Sequence, residues 1–164
     1  YAYSECFGGE PPPVEEVQPQ ITEGDIIEAV RTIGLPSLDL EVQPTGQTLV
    51  NLPTNFWTRA ETFTDSVSLL GHTVDVEATP SEYTWHTGDG TTMTTTSPGA
   101  RYPDLEVTHR YTDATPQVTP SVDVTYTVRY RIDGADWRDL SATLTATGET
   151  TTLQVREAIG QLTG

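Results

Sequence analysis

Polar and apolar residues alternate along most of this chain from Leu38 onward. The clearest run covers residues 122 to 132, where every second residue is Val, Tyr or Ile and the residues between are polar. Because side chains two apart lie on the same face of a strand, this run predicts a strand with one buried face. Asp133-Gly134 follows as a hairpin signal. Residues 137 to 146 predict the returning strand, with a bulge between Trp137 and Leu140.

Shorter runs with the same period predict further strands. They begin near Leu38, Phe63 and Val74, and a last short strand is predicted around Leu153 to Arg156. About eight antiparallel strands, each with one polar face, favour an all-β fold in which two sheets pack face to face.

Residues 22 to 33 carry the only helical pattern that is convincing in the sequence. Thr22 is the predicted N-cap, with Asp25 three positions later, and Gly34 and Pro36 end the helix. A helix of roughly twelve residues is not stable alone, so its apolar face must pack on its own sandwich or on a neighbouring molecule. We expect the second arrangement, because an extended arm precedes the helix. The candidate partner contacts are Ile26, Ile27, Val30 and Ile33.

The charge of the chain narrows the classes of partner. Among 164 residues the net charge is -16, and every basic residue is arginine. Nucleic acid and anionic membranes bind clustered Lys and Arg, so neither is an expected partner. No apolar run reaches the roughly 18 residues of a membrane span. Cys6 is the sole cysteine and cannot form an internal disulfide.

A short aromatic motif carries the most specific signal. Tyr83-Thr84-Trp85-His86-Thr87-Gly88-Asp89-Gly90 is followed later by His109-Arg110-Tyr111. Alternation places Tyr83 and Trp85 on one face, and a buried indole is a usual anchor between two sheets.

The turn and the second strand of this motif also have predicted structural roles. Gly88 and Gly90 allow positive φ on both sides of Asp89, whose carboxylate can cap turn amides. Val107, His109 and Tyr111 share a face, so His109 and Tyr111 should point inward. We expect the Tyr111 hydroxyl to hydrogen-bond loop backbone.

These residues resemble the motif of the PKD domain, an immunoglobulin-like β-sandwich with the pattern Trp-x-Phe-Gly-Asp-Gly and a later His-x-Tyr. The chain departs from the usual motif at His86 and Thr87, where Asp and Phe are frequent. The resemblance implies a PKD-like sandwich over residues 38 to 148. An extended Pro-rich acidic arm (1–21) and the short helix (22–36) would precede it, and a C-terminal strand and tail (149–164) would follow.

The layout is also similar to that of secreted actinobacterial PKD-containing proteins of unknown function. The shared segments are Val42-Gln43-Pro44, Gln47-Thr48-Leu49-Val50-Asn51, Asn55-Phe56-Trp57 and Glu77-Ala78-Thr79-Pro80. This similarity implies a secreted or cell-surface location and no known activity.

Candidate sites for chemistry are weak in the sequence. A metal site formed by His72, His86 and His109 with Asp89 is not favoured, since His109 is a predicted core residue. Calcium has candidate ligands in Asp133, Asp136 and Asp139 and in Asp104 with Glu106, although neither segment has the alternating oxygen spacing of a dedicated calcium loop.

We therefore expect a protein that is not an enzyme. The sequence has no Gly-x-Ser-x-Gly elbow and no acid pair framed by apolar residues. The leading interpretation is a non-enzymatic extracellular adhesion, assembly or spacer module that contacts other protein subunits, including copies of itself, within a cell-surface assembly. The alternatives are a carbohydrate-binding module, with Trp57 and Trp137 as a stacking platform, and an accessory domain of a secreted enzyme.

Overall fold

The computed structural model describes residues 20 to 158. Within this range the structure has 47% strand and one short helix, which confirms the predicted all-β class and is consistent with a sandwich of antiparallel sheets. The predicted arm lies outside the described residues except for Gln20 and Ile21, and so does Cys6. No helix within residues 20 to 158 has the length and apolar character needed to cross a membrane.

The secondary structure consists of one helix and twelve strands in the described range. They are α1 (Glu23–Ile33), β1 (Glu41–Gln43), β2 (Gln47–Leu49), β3 (Pro53–Trp57), β4 (Phe63–Leu69), β5 (His72–His86), β6 (Thr92–Thr95), β7 (Thr108–Arg110), β8 (Thr115–Val118), β9 (Ser121–Ile132), β10 (Arg138–Asp139), β11 (Leu144–Ala146) and β12 (Leu153–Arg156).

A six-stranded sheet forms the larger layer, with β5 and β9 paired at its centre. Its order is β10-β9-β5-β4, β11 also pairs with β9 and β6 also pairs with β5. The pairing of β5 and β9 shifts register between Pro80 and Glu82, where proline cannot donate a ladder hydrogen bond. The predicted inward face of β9 is confirmed, because Val122, Val124 and Tyr126 are fully buried.

Two three-stranded sheets complete the fold, with orders β1-β3-β7 and β2-β12-β8. The prediction of purely antiparallel pairing was wrong for one pair, since β12 runs parallel to β2. The strand predicted around Leu153 to Arg156 is confirmed as β12. Leu153 and Val155 are buried in the shared core, so the packed unit extends beyond the predicted limit at residue 148.

The chain that returns after the Asp133-Gly134 hairpin forms two short strands, β10 and β11, rather than the one that was predicted. Both turn residues have positive φ, at 51° and 73°, as a tight hairpin turn requires. Trp137 lies on the polar face of β9, where the Arg129 and Arg131 guanidinium carbons are 4.6 and 4.7 Å from the centroid of its ring. The outward indole and the inward Leu140 therefore belong to opposite faces of the sheet.

The helix begins as the sequence predicts but packs differently. The Thr22 hydroxyl accepts from the Asp25 amide, and the Asp25 carboxylate accepts from the Thr22 amide, which completes a capping box. Ile26 and Val30 are buried in the core of the same chain. Docking of this face on another subunit was therefore a wrong expectation for these two residues, because the sandwich itself already covers them.

The other two residues of the predicted helical face are only partly buried. Ile27 packs against the rim of the core, and Ile33 lies in the last turn of α1. The chain after the helix is also held to the sandwich, since the Tyr126 hydroxyl donates to the Pro36 carbonyl at 2.7 Å. The helix is thus an integral part of the packed unit.

Candidate functional site

Trp85 is the anchor of the predicted motif. Its side chain is 1% exposed, and its ring lies 6.5 Å from Phe56 and 6.1 Å from Tyr83, measured between centroids. The indole Nε1 donates to Thr95 Oγ1 at 2.8 Å, so the one polar atom of this buried ring is satisfied. The prediction that Trp85 lies between the sheets is confirmed.

Asp89 organises the turn after β5. Its carboxylate accepts from the Thr91 amide at 3.1 Å and from the Thr87 hydroxyl, and His109 Nε2 lies 2.7 Å from its other oxygen. The flanking Gly88 and Gly90 have positive φ, as predicted. The carboxylate therefore both caps the turn and connects it to β7.

Tyr111 closes the motif from the second strand. Its hydroxyl donates to the Thr87 carbonyl at 2.6 Å, which confirms the predicted bond to loop backbone. The His109 ring packs edge-on against the Tyr111 ring, with centroids 4.7 Å apart. Burial, and then the nearby charge of Asp89, raise the pKa of Tyr111 far above its ordinary value. The group is therefore a neutral donor, which suits a structural role.

The charge of Asp89 should stabilise the fold in a pH-dependent way. Burial alone would raise its pKa, but the hydrogen bonds from Thr87, His109 and the Thr91 amide together lower it from 3.8 to about 2. The shift corresponds to at most about 2 kcal/mol of stability, reduced by solvent because the side chain is 29% exposed. This stability is present above the ordinary pKa and is lost as the pH falls through about 2.

We expect Asp89→Asn to lower the melting temperature at neutral pH, with a deficit that shrinks as the pH falls from about 4 towards 2. Thermal melts of both proteins across this range provide the measurement. Asp136→Asn removes one negative charge from an exposed turn and is the matched control, which should show no such trend. If the melting temperature of the variant is lower by the same amount at every pH, the charge of Asp89 does not contribute to the stability of the fold.

The three histidines that could have formed a metal site are used separately. His72 pairs with Asp133 at 2.6 Å, His86 with Asp123 at 2.8 Å, and His109 with Asp89. Each of these contacts joins two different segments of the chain, so the histidines act as links within the fold.

The calcium candidates are likewise not gathered into a site. Asp133 accepts from the Thr73 amide at 2.9 Å as well as contacting His72, and these bonds lower its pKa. Glu106 contacts the Ser97 hydroxyl. Within the part of the chain that the structure describes, no three His, Cys, Asp or Glu side chains are grouped as metal ligands. The candidates Asp133, Asp136 and Asp139 are therefore not gathered into one group of ligands in residues 20 to 158.

Trp57 and Trp137 do not form a common stacking platform. Trp57 belongs to the β1-β3-β7 sheet and is 8% exposed, whereas Trp137 lies over the six-stranded sheet. Arg59 and Arg101 cover the Trp57 ring, with guanidinium carbons 5.7 and 5.1 Å from its centroid. Both indoles are thus already in contact with arginine.

An apolar cleft that the sequence did not reveal opens on the outer side of the β1-β3-β7 sheet. We call it the Tyr102 cleft; its volume is about 570 Å³, and its lining consists of Gln43, Pro44, Thr45, Leu52, Pro53, Asn55, Tyr102 and Leu105. Tyr102 is 72% exposed, Leu52 48% and Leu105 44%. Large apolar side chains left this open are typical of contact surfaces.

The floor of the Tyr102 cleft is built from two carboxamides. Asn55, which is 1% exposed, donates through Nδ2 to Gln43 Oε1 at 3.1 Å and to the Ala100 carbonyl at 2.7 Å. Gln43 Oε1 also accepts from the Tyr102 amide at 2.8 Å. Asn55 Oδ1 and Trp57 Nε1 are the two buried side-chain atoms without a hydrogen-bond partner among residues 20 to 158. Strand alternation places both on the same outer face of β3.

The loop from Pro98 to Leu105 forms the wall of the cleft and is fixed to β3. The Thr58 amide donates to the Pro98 carbonyl at 2.9 Å, and Gly99 lies directly against the Phe56 carbonyl. A Cβ at residue 99 would also lie 2.8 Å from Trp57 Cα, so only glycine fits. This close approach fixes the loop that carries Arg101 and Tyr102.

Comparisons of the chain with protein-family models, with curated proteins and with solved structures found no match. The interpretation of the site therefore rests on the geometry described above.

Proposed function

We propose that this protein is a non-enzymatic module of the extracellular space or the cell surface, and that it acts through protein–protein contact at the Tyr102 cleft. The proposal includes a PKD-type, immunoglobulin-like arrangement of the sandwich. The Trp85 anchor, the Asp89 turn and the Tyr111 hydroxyl bond support that arrangement, since each contributes to packing in the way the motif implies.

The observation that carries the proposal is the exposure of three large apolar side chains in one cleft. Strand β9 buries its apolar residues, and Leu49 and Leu70 are exposed singly outside the cleft. Leu52, Tyr102 and Leu105 are instead exposed together around one cavity. Covering such side chains with a partner removes apolar area from water and is favourable. A surface of this kind fits protein contact better than it fits a strongly polar ligand.

The chemistry of the cleft also supports a binding role. The polar side chains in its lining are those of Gln43, Thr45, Asn55 and Tyr102, which can exchange hydrogen bonds with a partner. The carboxylates whose pKa is lowered, such as Asp89 and Asp133, are bonded within the turn and hairpin that they hold together. The lowered pKa values of Asp89 and Asp133 are explained by the hydrogen bonds that hold the turn and the hairpin together.

Leu105→Asp should remove a partner that co-purifies with the protein. The measurement is native mass spectrometry of protein recovered from the culture supernatant of the producing cells. Wild-type protein is expected with a bound protein, either its own copy or another, and Leu105→Asp should be recovered without it, because a charged group cannot enter an apolar contact without loss of hydration.

Leu70→Asp is the matched control, because Leu70 is 50% exposed and does not line the cleft. It should leave the bound protein in place. Wild-type protein recovered alone would contradict the proposal. Retention on insoluble cell-wall polysaccharide that is lost in Trp137→Ala would favour the carbohydrate-binding alternative.

A further inference from the structure

We propose that the Tyr102 cleft binds the acidic, proline-rich segment 10–17 of a second copy of this chain. The inference rests on the proposed function and names the partner of the same surface. The segment reads Glu10-Pro11-Pro12-Pro13-Val14-Glu15-Glu16-Val17 and lies outside the described residues.

The shape and lining of the cleft match a proline-rich peptide. Clefts lined by aromatic and apolar residues bind polyproline segments, and here an exposed Tyr102 ring stands beside leucine and proline side chains. Three consecutive prolines have their φ angles fixed in advance, so they lose little conformational entropy when they bind. Pro11, Pro12 and Pro13 provide the apolar part of this segment.

The accessible polar groups of the cleft suit a peptide backbone. A polyproline backbone makes no internal hydrogen bonds, so its carbonyls are available as acceptors. Val14 is the first residue after the prolines that has an amide hydrogen to donate. The half-buried Gln43 and the exposed Tyr102 carry side-chain groups in the lining that can exchange hydrogen bonds with such a backbone.

Charge selects an acidic peptide over a neutral or a basic one. The chain carries a net charge of -16, yet Arg59 and Arg101 both contact the ring of Trp57, and Arg101 precedes Tyr102 of the cleft. Neither forms a salt bridge with any residue between 20 and 158, unlike Arg129 and Arg131, which pair with Glu77 and Asp75. The acidic residues Glu10, Glu15 and Glu16 flank the apolar part of segment 10–17, so they can supply the missing partners.

The position of the helix favours a neighbouring chain as the donor of the segment. Only residues 18 to 22 join the segment to α1, a reach of at most about 18 Å. The helix packs on the six-stranded sheet, where Glu23 contacts the Ser141 hydroxyl, whereas the cleft opens on the outer side of the β1-β3-β7 sheet. The helix and the cleft thus lie on different sheets, and reciprocal supply of the segment by a second copy would build a dimer or a longer assembly.

Sedimentation velocity of the full-length chain over a range of concentrations tests the contact. Wild-type protein should self-associate, and both Tyr102→Ala and the triple substitution of Pro11, Pro12 and Pro13 by serine should weaken association by at least about tenfold. Leu70→Ala is the control at an exposed apolar site outside the cleft and should have no effect.

A charge reversal sharpens the test. The probe is a fluorescently labelled synthetic peptide of residues 8 to 18, whose binding to the triple-serine protein is followed by anisotropy. Arg101→Glu should weaken binding at least about tenfold, and a peptide with Glu15→Arg and Glu16→Arg should recover it. Arg138→Glu makes the same charge change at an exposed position of β10 and should leave binding unchanged.

Each remaining outcome overturns a defined part of the inference. Self-association that persists in every variant would reject the arm–cleft contact and leave the proposed function standing. The wild-type protein could be monomeric and fail to bind the peptide while the triple-serine variant binds it. This result would show that the segment occupies the cleft of its own chain, and it would reject the second copy as the donor. Absence of both association and peptide binding would reject the inference entirely, while a different co-purifying protein would still uphold the proposed function.

Discussion

Trp85→Ala is expected to destabilise the protein by about 3 to 5 kcal/mol, enough to unfold a domain of ordinary stability. The ring is almost fully buried and contacts Phe56 and Tyr83, so its removal leaves a large cavity between the layers. The substitution also leaves Thr95 Oγ1 without the indole donor. Urea unfolding followed by circular dichroism measures the loss.

Trp137→Ala provides the matched control for this prediction. Trp137 is only partly buried and lies on the polar face beneath two arginines, so its removal opens no internal cavity. We expect a cost of about 1 kcal/mol or less, from lost contact with the guanidinium groups. Equal losses for the two tryptophans would show that Trp85 is not the anchor between the layers.

Gly99→Ala is expected to cost about 2 to 5 kcal/mol. Part of this comes from the positive φ of 77°, which an L side chain rarely adopts, and part from overlap of the new Cβ with the backbone of β3. The contacted atoms are the Phe56 carbonyl oxygen and Trp57 Cα, which cannot move without distorting the strand. Chemical denaturation gives the change in the free energy of unfolding.

Gly46→Ala separates these two causes. Gly46 has nearly the same φ, at 78°, but a Cβ there meets no atom within 4 Å. It should therefore cost only the backbone part, about 1 to 2 kcal/mol. If both substitutions have the same effect, the close approach of the loop to β3 is not a constraint, and the wall of the Tyr102 cleft is less firmly fixed than the structure indicates.

Features encoded in neighbouring residues were predicted well from the sequence. The inward face of β9 follows from a period of two, and the capping box at Thr22 needs only residues three apart. The burial of Trp85 and the hydroxyl bond of Tyr111 were predicted because the motif fixes which side chains share a face. The period of β9 and the capping box are local, whereas the Tyr111 bond joins residues 24 apart and was predicted only through the motif.

Features that depend on distant segments were not predicted. An apolar helical face must be covered, but its period does not say by what, and Ile26 and Val30 are covered by the chain itself. The Tyr102 cleft joins Gln43, Asn55 and Tyr102, which come together only when β1 and β3 pair and the later loop folds over them. Gln43-Pro44 and Asn55 belong to the segments on which the resemblance expected from the sequence rests, and that resemblance is the one signal that could have drawn attention to this surface.

The place of β12 has a consequence for the order in which the chain can fold during synthesis. This strand lies between β2 and β8, which do not pair with each other. Until the ribosome has released the chain through Arg156, both strands have a vacant edge and the core lacks Leu153 and Val155. Completion of this sheet must therefore wait until after Arg156 has emerged, so a nascent chain cannot reach its final packing earlier.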